Sequence, residues 1–408
     1  MDRKVVNAWC LYDFGNSAFA VIFISIFATY FTGTVARGPR ADLWWGLLGS
    51  TSMLAVALSS PFLGAVADKA GLRKRFLTIY TCLGAAAVLS WSLLGAGDLA
   101  AGFLLGVVAN FCFEGAVVFY NSFLPELAPP THQGRVSARG FWIGYAGSMA
   151  ALALAAPLAH RGLFPAVWAL LAVQWLVFAR PALRHLPADE RRPVRLLDVG
   201  LEGARNTVRT LKSVLGMRDL RRFLLAYFIY EDGVNTVIFF AMGYAQRTIG
   251  LSQLELGGVL MLINFCALVG SFAMGGPTDR RGPRWAVRLL LVWWTAVVTV
   301  SYFATSKTAF VVVAAMAGLG LGPIQAASRA LMARLIPAGR EAELFGFYAL
   351  CGKSGAILGP TLFGLISSAS GSQRPAVLSV AAFYALGFVL LGRVQVSPAA
   401  PCSSNGPR

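Results

Sequence analysis

The chain has 408 residues, of which 57% are hydrophobic and 13% charged, and its mean hydropathy is +0.65. That balance excludes a water-soluble globular protein of this length, which needs far more polar surface to cover its core. The net charge of +17 raises nucleic acid as a partner, but the placement of the basic residues argues against it.

In chain order, apolar segments are centred near residues 20, 56, 86, 110, 149, 173, 234, 265, 296, 322, 357 and 384. Runs such as 44–67, 103–123, 256–275 and 376–391 approach or exceed the roughly 20 residues that carry a helix across the hydrocarbon of a bilayer. They lack the alternation of a membrane barrel. The expected fold is therefore an all-α polytopic membrane protein of about twelve transmembrane helices.

With the first residues on the cytoplasmic side, the inner segments hold Arg3, Lys4, the cluster at 69–75, Arg135, Arg139, the basic stretch 180–222, the cluster at 280–288, Arg334, Arg340, Arg393 and Arg408. The outer loops hold Arg37, Arg40, Arg161, Arg247, Lys307 and Arg374. Basic loops stay inside, so the pattern predicts a multi-pass inner-membrane protein with both termini cytoplasmic. Its basic face meets an anionic inner leaflet, and no nucleic acid is expected. The first span, preceded by Arg3 and Lys4, resembles a signal peptide, but Asp13 and Asn16 interrupt it and many spans follow, so retention is expected.

Residues 1–183 form one expected six-helix half and 222–395 the other. Between them, 184–221 reads as a basic cytoplasmic linker, with apolar residues at helical spacing from Leu196 to Leu215 that fit a helix lying on the membrane or a solvated linker. The tail 396–408 has no periodicity and reads as disordered. Five of the six cysteines fall in spans and Cys402 in the tail, so no disulfide framework is implied. His132, His160 and His185 lie apart in loops, and no metal or cofactor site is expected.

The halves repeat one another. Asp13-x-x-Asn16-Ser17 opens one, and Asp232-x-x-Asn235-Thr236 opens the other. After the second span of each comes Gly-x-x-x-Asp-[Lys/Arg]-x-Gly-x-Arg, built from Gly64, Asp68, Gly71 and Arg73 in one half. Gly275, Asp279, Arg280, Gly282 and Arg284 build it in the other. The fourth spans end alike, at "FLPEL" and "LIP". Three coincidences in register imply duplication, and duplicated bundles suit alternating access around a site near the midplane.

The loop at 64–74 resembles the signature loop of the major facilitator superfamily, departing from it at Leu72, where a basic residue is usual. The stretches "WCLYDFGNSAFA", "YEDGVNTVIFFA" and "QAASRALMARLIPAGREAELFGFY" resemble one branch, the "unknown major facilitator" family that includes the fungal vacuolar permease exporting amino acids after autophagy. The resemblance implies a proton-linked or facilitated permease, with amino acids as a candidate substrate and Asp68 as a gating residue; it does not fix the substrate, and the expected solute is small and polar, such as an amino acid or peptide.

A charge at the centre of a span costs about 2.5–3.5 kcal/mol, so intramembrane charges are functional candidates. Positions three and four apart share a helix face. Asp13 with Asn16, and Asp232 with Asn235, are thus two polar stripes expected to face each other across the cavity. Glu114, Arg329 and Lys353 lie at similar depth, with Gln325 a neutral candidate for the wall. These residues fit a proton and substrate pathway for a zwitterionic solute, or an ion-pair network that closes the inner gate. Helix–helix bonding is the alternative for each polar residue. A non-transporting sensor, or a permease for sugars or drug-like compounds, is the alternative function. No enzyme constellation or nucleotide-binding loop is read.

Overall fold

The structure, a computed structural model, describes residues 1–190, 192, 213–247, 249–354, 358–370 and 373–395. The membrane-surface pattern read from residue 196 onward lies, up to residue 212, outside the described residues, as does the tail from 396. Helix α1, Arg3–Ile22, begins where the Asp2 carboxylate accepts from the Lys4 amide at 2.8 Å. It continues through two π-helical turns, Phe23–Phe27 and Phe31–Val35. Each π turn holds an extra residue, a device found frequently at functional places.

The rest of the first half is α2 (Ala41–Ala70), α3 (Arg73–Ser90), α4 (Leu99–Ser122), α5 (Gln133–His160) and α6 (Phe164–His185). The second half is α7 (Arg218–Arg247), α8 (Gln253–Arg281), α9 (Pro283–Phe303), α10 (Lys307–Leu335), α11 (Glu341–Ser354), α12 (Leu358–Ser370) and α13 (Gln373–Leu391). Polar caps set the starts: Ser252 and Glu255 form a reciprocal capping box on α8, and Ser306 accepts from Ala309 N on α10.

Nine of the described helices are long and apolar enough to cross a membrane. The remaining expected spans fall short for visible reasons. Helix α7 carries Arg218, Asp219, Arg221, Arg222, Glu231 and Asp232; the eleventh span is described in two pieces, α11 and α12; the twelfth has a short apolar stretch, Ala376–Leu391. The chain is a multi-pass helical membrane protein.

The halves meet through α2 with α11, α4 with α11, and α5 with α8 and α10. At the end that carries the start of α1, one apolar cluster runs through both halves, from Trp9, Tyr120 and Leu124 to Leu331, Phe345 and Tyr348. Toward the opposite end the described apolar residues divide. Phe19, Phe27, Trp91 and Trp168 anchor a cluster of first-half buried residues, and Ala245, Leu251, Val259, Phe310 and Ala314 cluster in the second half. The bundle is thus closed at the end bearing α1's first residue, while toward the other the buried apolar residues of the halves form separate clusters, with partly buried Leu260 of α8 packed against the first.

Candidate functional site

The closed end is held by two matching caps. Gly71, at φ 64, ends α2 in the left-handed conformation that a side chain rarely adopts. One turn earlier, Asp68 accepts from the amides of Ala342 (3.1 Å) and Glu343 (2.9 Å), in the first turn of α11 in the other half. Helix starts leave such amides without partners and favour negative charge. Asp279, near the end of α8, accepts from Gly134 (2.8 Å) and Arg135 (3.2 Å) at the start of α5. Gly64 lets the α2 backbone meet that of α11, because a Cβ there would collide with the Ala342 carbonyl.

The arginines of the two loops diverge. Arg73 lies 3.2 Å from Glu126, 3.7 Å from Glu341 across the interface and 3.8 Å from Asp68. Its counterpart Arg284 donates to the Gly392 carbonyl within its own half at 2.6 Å. Arg280 is exposed and forms no ion pair among the described residues. Gly282 separates α8 from α9 at φ 88.

Beyond these caps, Arg329 crosses from α10 into the first half. Its Nε donates to Ser137 Oγ at 2.9 Å, one terminal nitrogen to Asn121 Oδ1 at 3.0 Å, and the other to the Ser137 carbonyl at 2.7 Å. Asp13 Oδ2 lies 3.6 Å away and also accepts from Tyr120 Oη at 2.9 Å. The guanidinium carbon sits 4.2 Å from the Phe141 ring centroid and 4.9 Å from that of Trp9. A planar, multiply donating cation suits such a cage, which a lysine would only partly fill. Tyr120, Asn121, Ser137 and Phe141 were not singled out in the sequence; the only signal was polarity in "YNS" within an apolar run.

A second pair crosses the interface: Lys353 Nζ lies 2.7 Å from Glu114 Oε1, with side chains 31% and 11% exposed. The charges read as one layer therefore resolve into two ion pairs, each with one member in each half.

The expectation of two polar stripes facing across a cavity is corrected. Asp232 Oδ2 accepts from the Gly359 amide at 2.7 Å, inside its own half. Asn235 donates to the Gly352 carbonyl at 3.3 Å, and Thr236 to the Asp232 carbonyl. This face of α7 is turned to α11 and α12, as the Asp13 face of α1 is turned to α5 near Gly140. Glu231, about 100° around the helix, instead accepts from Gln325 at 3.1 Å and has no ion pair among the described residues. Asn16 is buried, and its Oδ1 has no partner among the described residues.

Paired six-helix bundles, joined at one end by reciprocal caps and by ion pairs between the halves, define a membrane transporter of the major facilitator type. The chain belongs to the family described as "Vacuole effluxer Atg22 like", whose family model matches residues 47–401. It is 28% identical to an uncharacterized MFS-type transporter, YxiO, of Bacillus subtilis, over 96% of this chain and 95% of that one. It is 23% identical to autophagy-related protein 22-1 of Penicillium rubens, over 84% and 74% of the two chains. Among solved structures it is similar to the human organic anion transporter MFSD10, with a TM-score of 0.77, 16% identity and coverage of 95% and 99%. At that identity the last likeness speaks to the fold alone.

Proposed function

We propose that the chain moves a small zwitterionic solute, such as an amino acid or short peptide, by proton-coupled alternating access across a bacterial-type inner membrane, with the closed end cytoplasmic. The observation that carries this reading is the Glu114–Lys353 pair, which bridges the halves at 2.7 Å and is partly exposed. A zwitterion offers the same two charges. Its ammonium satisfies Glu114 and its carboxylate satisfies Lys353, so binding replaces a bond between the halves without stranding a buried charge. The halves are then joined through the solute and free to rock.

Arg329 is assigned to the gate, because its donors are already engaged by Ser137 and Asn121 and its charge faces Asp13. Asp68, Arg73 and Asp279 act with it, Gly64, Gly71 and Gly282 shape their approach, and Arg280 and Arg284 supply basic charge at the inner face. Glu231 is assigned to proton carriage, since it can change protonation without breaking an ion pair. Asn16, Asn235 and Gln325 serve as hydrogen-bonding groups beside the path, and Asp232 as a brace between α7 and α12.

The test is release from proteoliposomes loaded with mixed amino acids and dipeptides under an imposed pH gradient, read by mass spectrometry. Selective release that needs the gradient, and that Glu231→Gln uncouples while Asp232→Asn weakens without uncoupling, is the expected result. Release indifferent to the gradient would sink proton coupling, and release of anions or sugars alone would sink the zwitterion assignment.

A further inference from the structure

A second set of basic residues lies apart from the Glu114–Lys353 and Arg329–Asp13 pairs, beside the contact that Arg334 makes with Pro130 of the other half. A cleft of about 630 Å³ opens at the start of α9, lined by Arg281, Arg284, Arg288 and Arg334 together with Trp285 and Phe388. No acidic residue lines it among the described residues. The four cations are held in place by aromatic rings and carbonyls, and of the four only Arg334 feels a nearby carboxylate among the described residues, that of Asp279. Arg281 lies over the Trp285 ring at 4.7 Å and Arg288 over the Phe388 ring at 4.2 Å. Arg284 and Arg334 donate to the carbonyls of Gly392 and Pro130, each at 2.6 Å. The buried Nε atoms of Arg284, Arg288 and Arg334 meet no acceptor among the described residues.

The duplicated half shows what such a place can hold. There the start of α3 is capped by Asp189, which accepts from the amides of Lys74 at 2.8 Å and Arg75 at 3.0 Å. The start of α9 is the corresponding helix end and has no side-chain cap. Clustered arginines at a helix start match the charge and geometry of a phosphate group.

We infer that this cleft binds the phosphate of an anionic phospholipid at the membrane–water boundary. Two sources share that chemistry, a lipid headgroup and a soluble phosphate ester, and the apolar continuation of the cleft selects the lipid. Leu289 and Val292 follow Arg288 up α9 at 44% and 55% exposure, on the face turned outward from the bundle. Basic pockets between helices at the inner boundary are where acidic headgroups lodge. Arg334 also reaches Pro130 in the other half, so the bound lipid sits against a residue that spans the gate.

The experiment is native mass spectrometry of the purified full chain in detergent, titrated separately with phosphatidylglycerol, phosphatidylcholine and glycerol 3-phosphate. Wild type is expected to retain phosphatidylglycerol over phosphatidylcholine, and Arg284→Ala/Arg288→Ala to bind it at least about tenfold more weakly. Arg37→Ala/Arg40→Ala, the same loss of charge at the opposite end, should bind as wild type does. Arg281→Gln/Arg288→Gln leaves the Gly392 contact intact and should reproduce the defect if the first variant misfolds. Equal retention in the cleft variants, or no preference between the two lipids, overturns the site. Binding of glycerol 3-phosphate as tight as that of phosphatidylglycerol overturns the lipid assignment in favour of a soluble ester.

Discussion

Lys353 of α11 and Glu114 of α4 meet at 2.7 Å across the boundary between the two six-helix halves. A half-buried pair of this kind is costly to break from one side, because the survivor is left charged and alone. Glu114→Gln and Lys353→Gln are each expected to lower uptake at least about tenfold. If the pair binds a zwitterion as proposed, the double charge swap, Glu114→Lys with Lys353→Glu, should stay at the level of the single variants, because it would demand the solute in the reverse orientation. Recovery of transport in the swap would assign the pair to the gate.

Losing either reciprocal cap should loosen the closed end by about the value of one helix cap, near 1 kcal/mol. That corresponds to a roughly fivefold shift between closed and open populations. Asp68→Ala and Asp279→Ala are expected to behave alike and, sharing no hydrogen-bond partner, to add in the double variant. Labelling of a cysteine placed at Glu341, measured in membranes, reads the opening. Unchanged labelling in both variants would remove the caps from the gate.

Gly64→Val acts in the same place by another route. Its side chain would press on the Ala342 backbone, which cannot swing aside as a side chain does. The expected result is a larger opening than Asp68→Ala gives, seen as a longer α2–α11 spin-label distance, with the fold of each half intact. A distance distribution matching wild type would show that the helices repack around the added volume.

Arg329→Lys keeps the charge and loses the planar fork. Three donated hydrogen bonds and the stacking on Phe141 and Trp9 go with it. Transport should fall at least about tenfold, and thermal unfolding should drop by several degrees, as for a damaged buried network. If Arg329→Lys matched wild type in both, the cage would be mere packing around a positive charge.

Much of this arrangement was legible beforehand, for identifiable reasons. Hydropathy and loop charge gave the spans, because the bilayer forces long apolar helices and basic inner loops. The repeated Gly-x-x-x-Asp loops marked the acids that cap helices of the opposite half, since a helix stop and an acid near it are local features. Asp232 was misdirected. Spacing tells which residues share a face of α7, but only packing tells that this face meets α12 while Glu231 meets α10. The cage around Arg329 was illegible for a like reason: its walls come from α1, α4 and α5, more than 180 residues distant in sequence. The docking of Asp189 onto α3 lay hidden in what reads as an ordinary polar linker.

The two aspartate caps have a consequence for the ancestry of the chain. Asp68 from the second helix of one half caps the fifth span of the other, and Asp279 from the second helix of that half caps the fifth helix of the first. Residue i of one unit meets residue j of its mate and the reverse, which is the signature of an isologous contact between identical subunits. A single six-helix unit carrying one such loop could have closed upon a copy of itself. Fusion of the two copies would inherit both clasps at once, and each half was then free to diverge everywhere else.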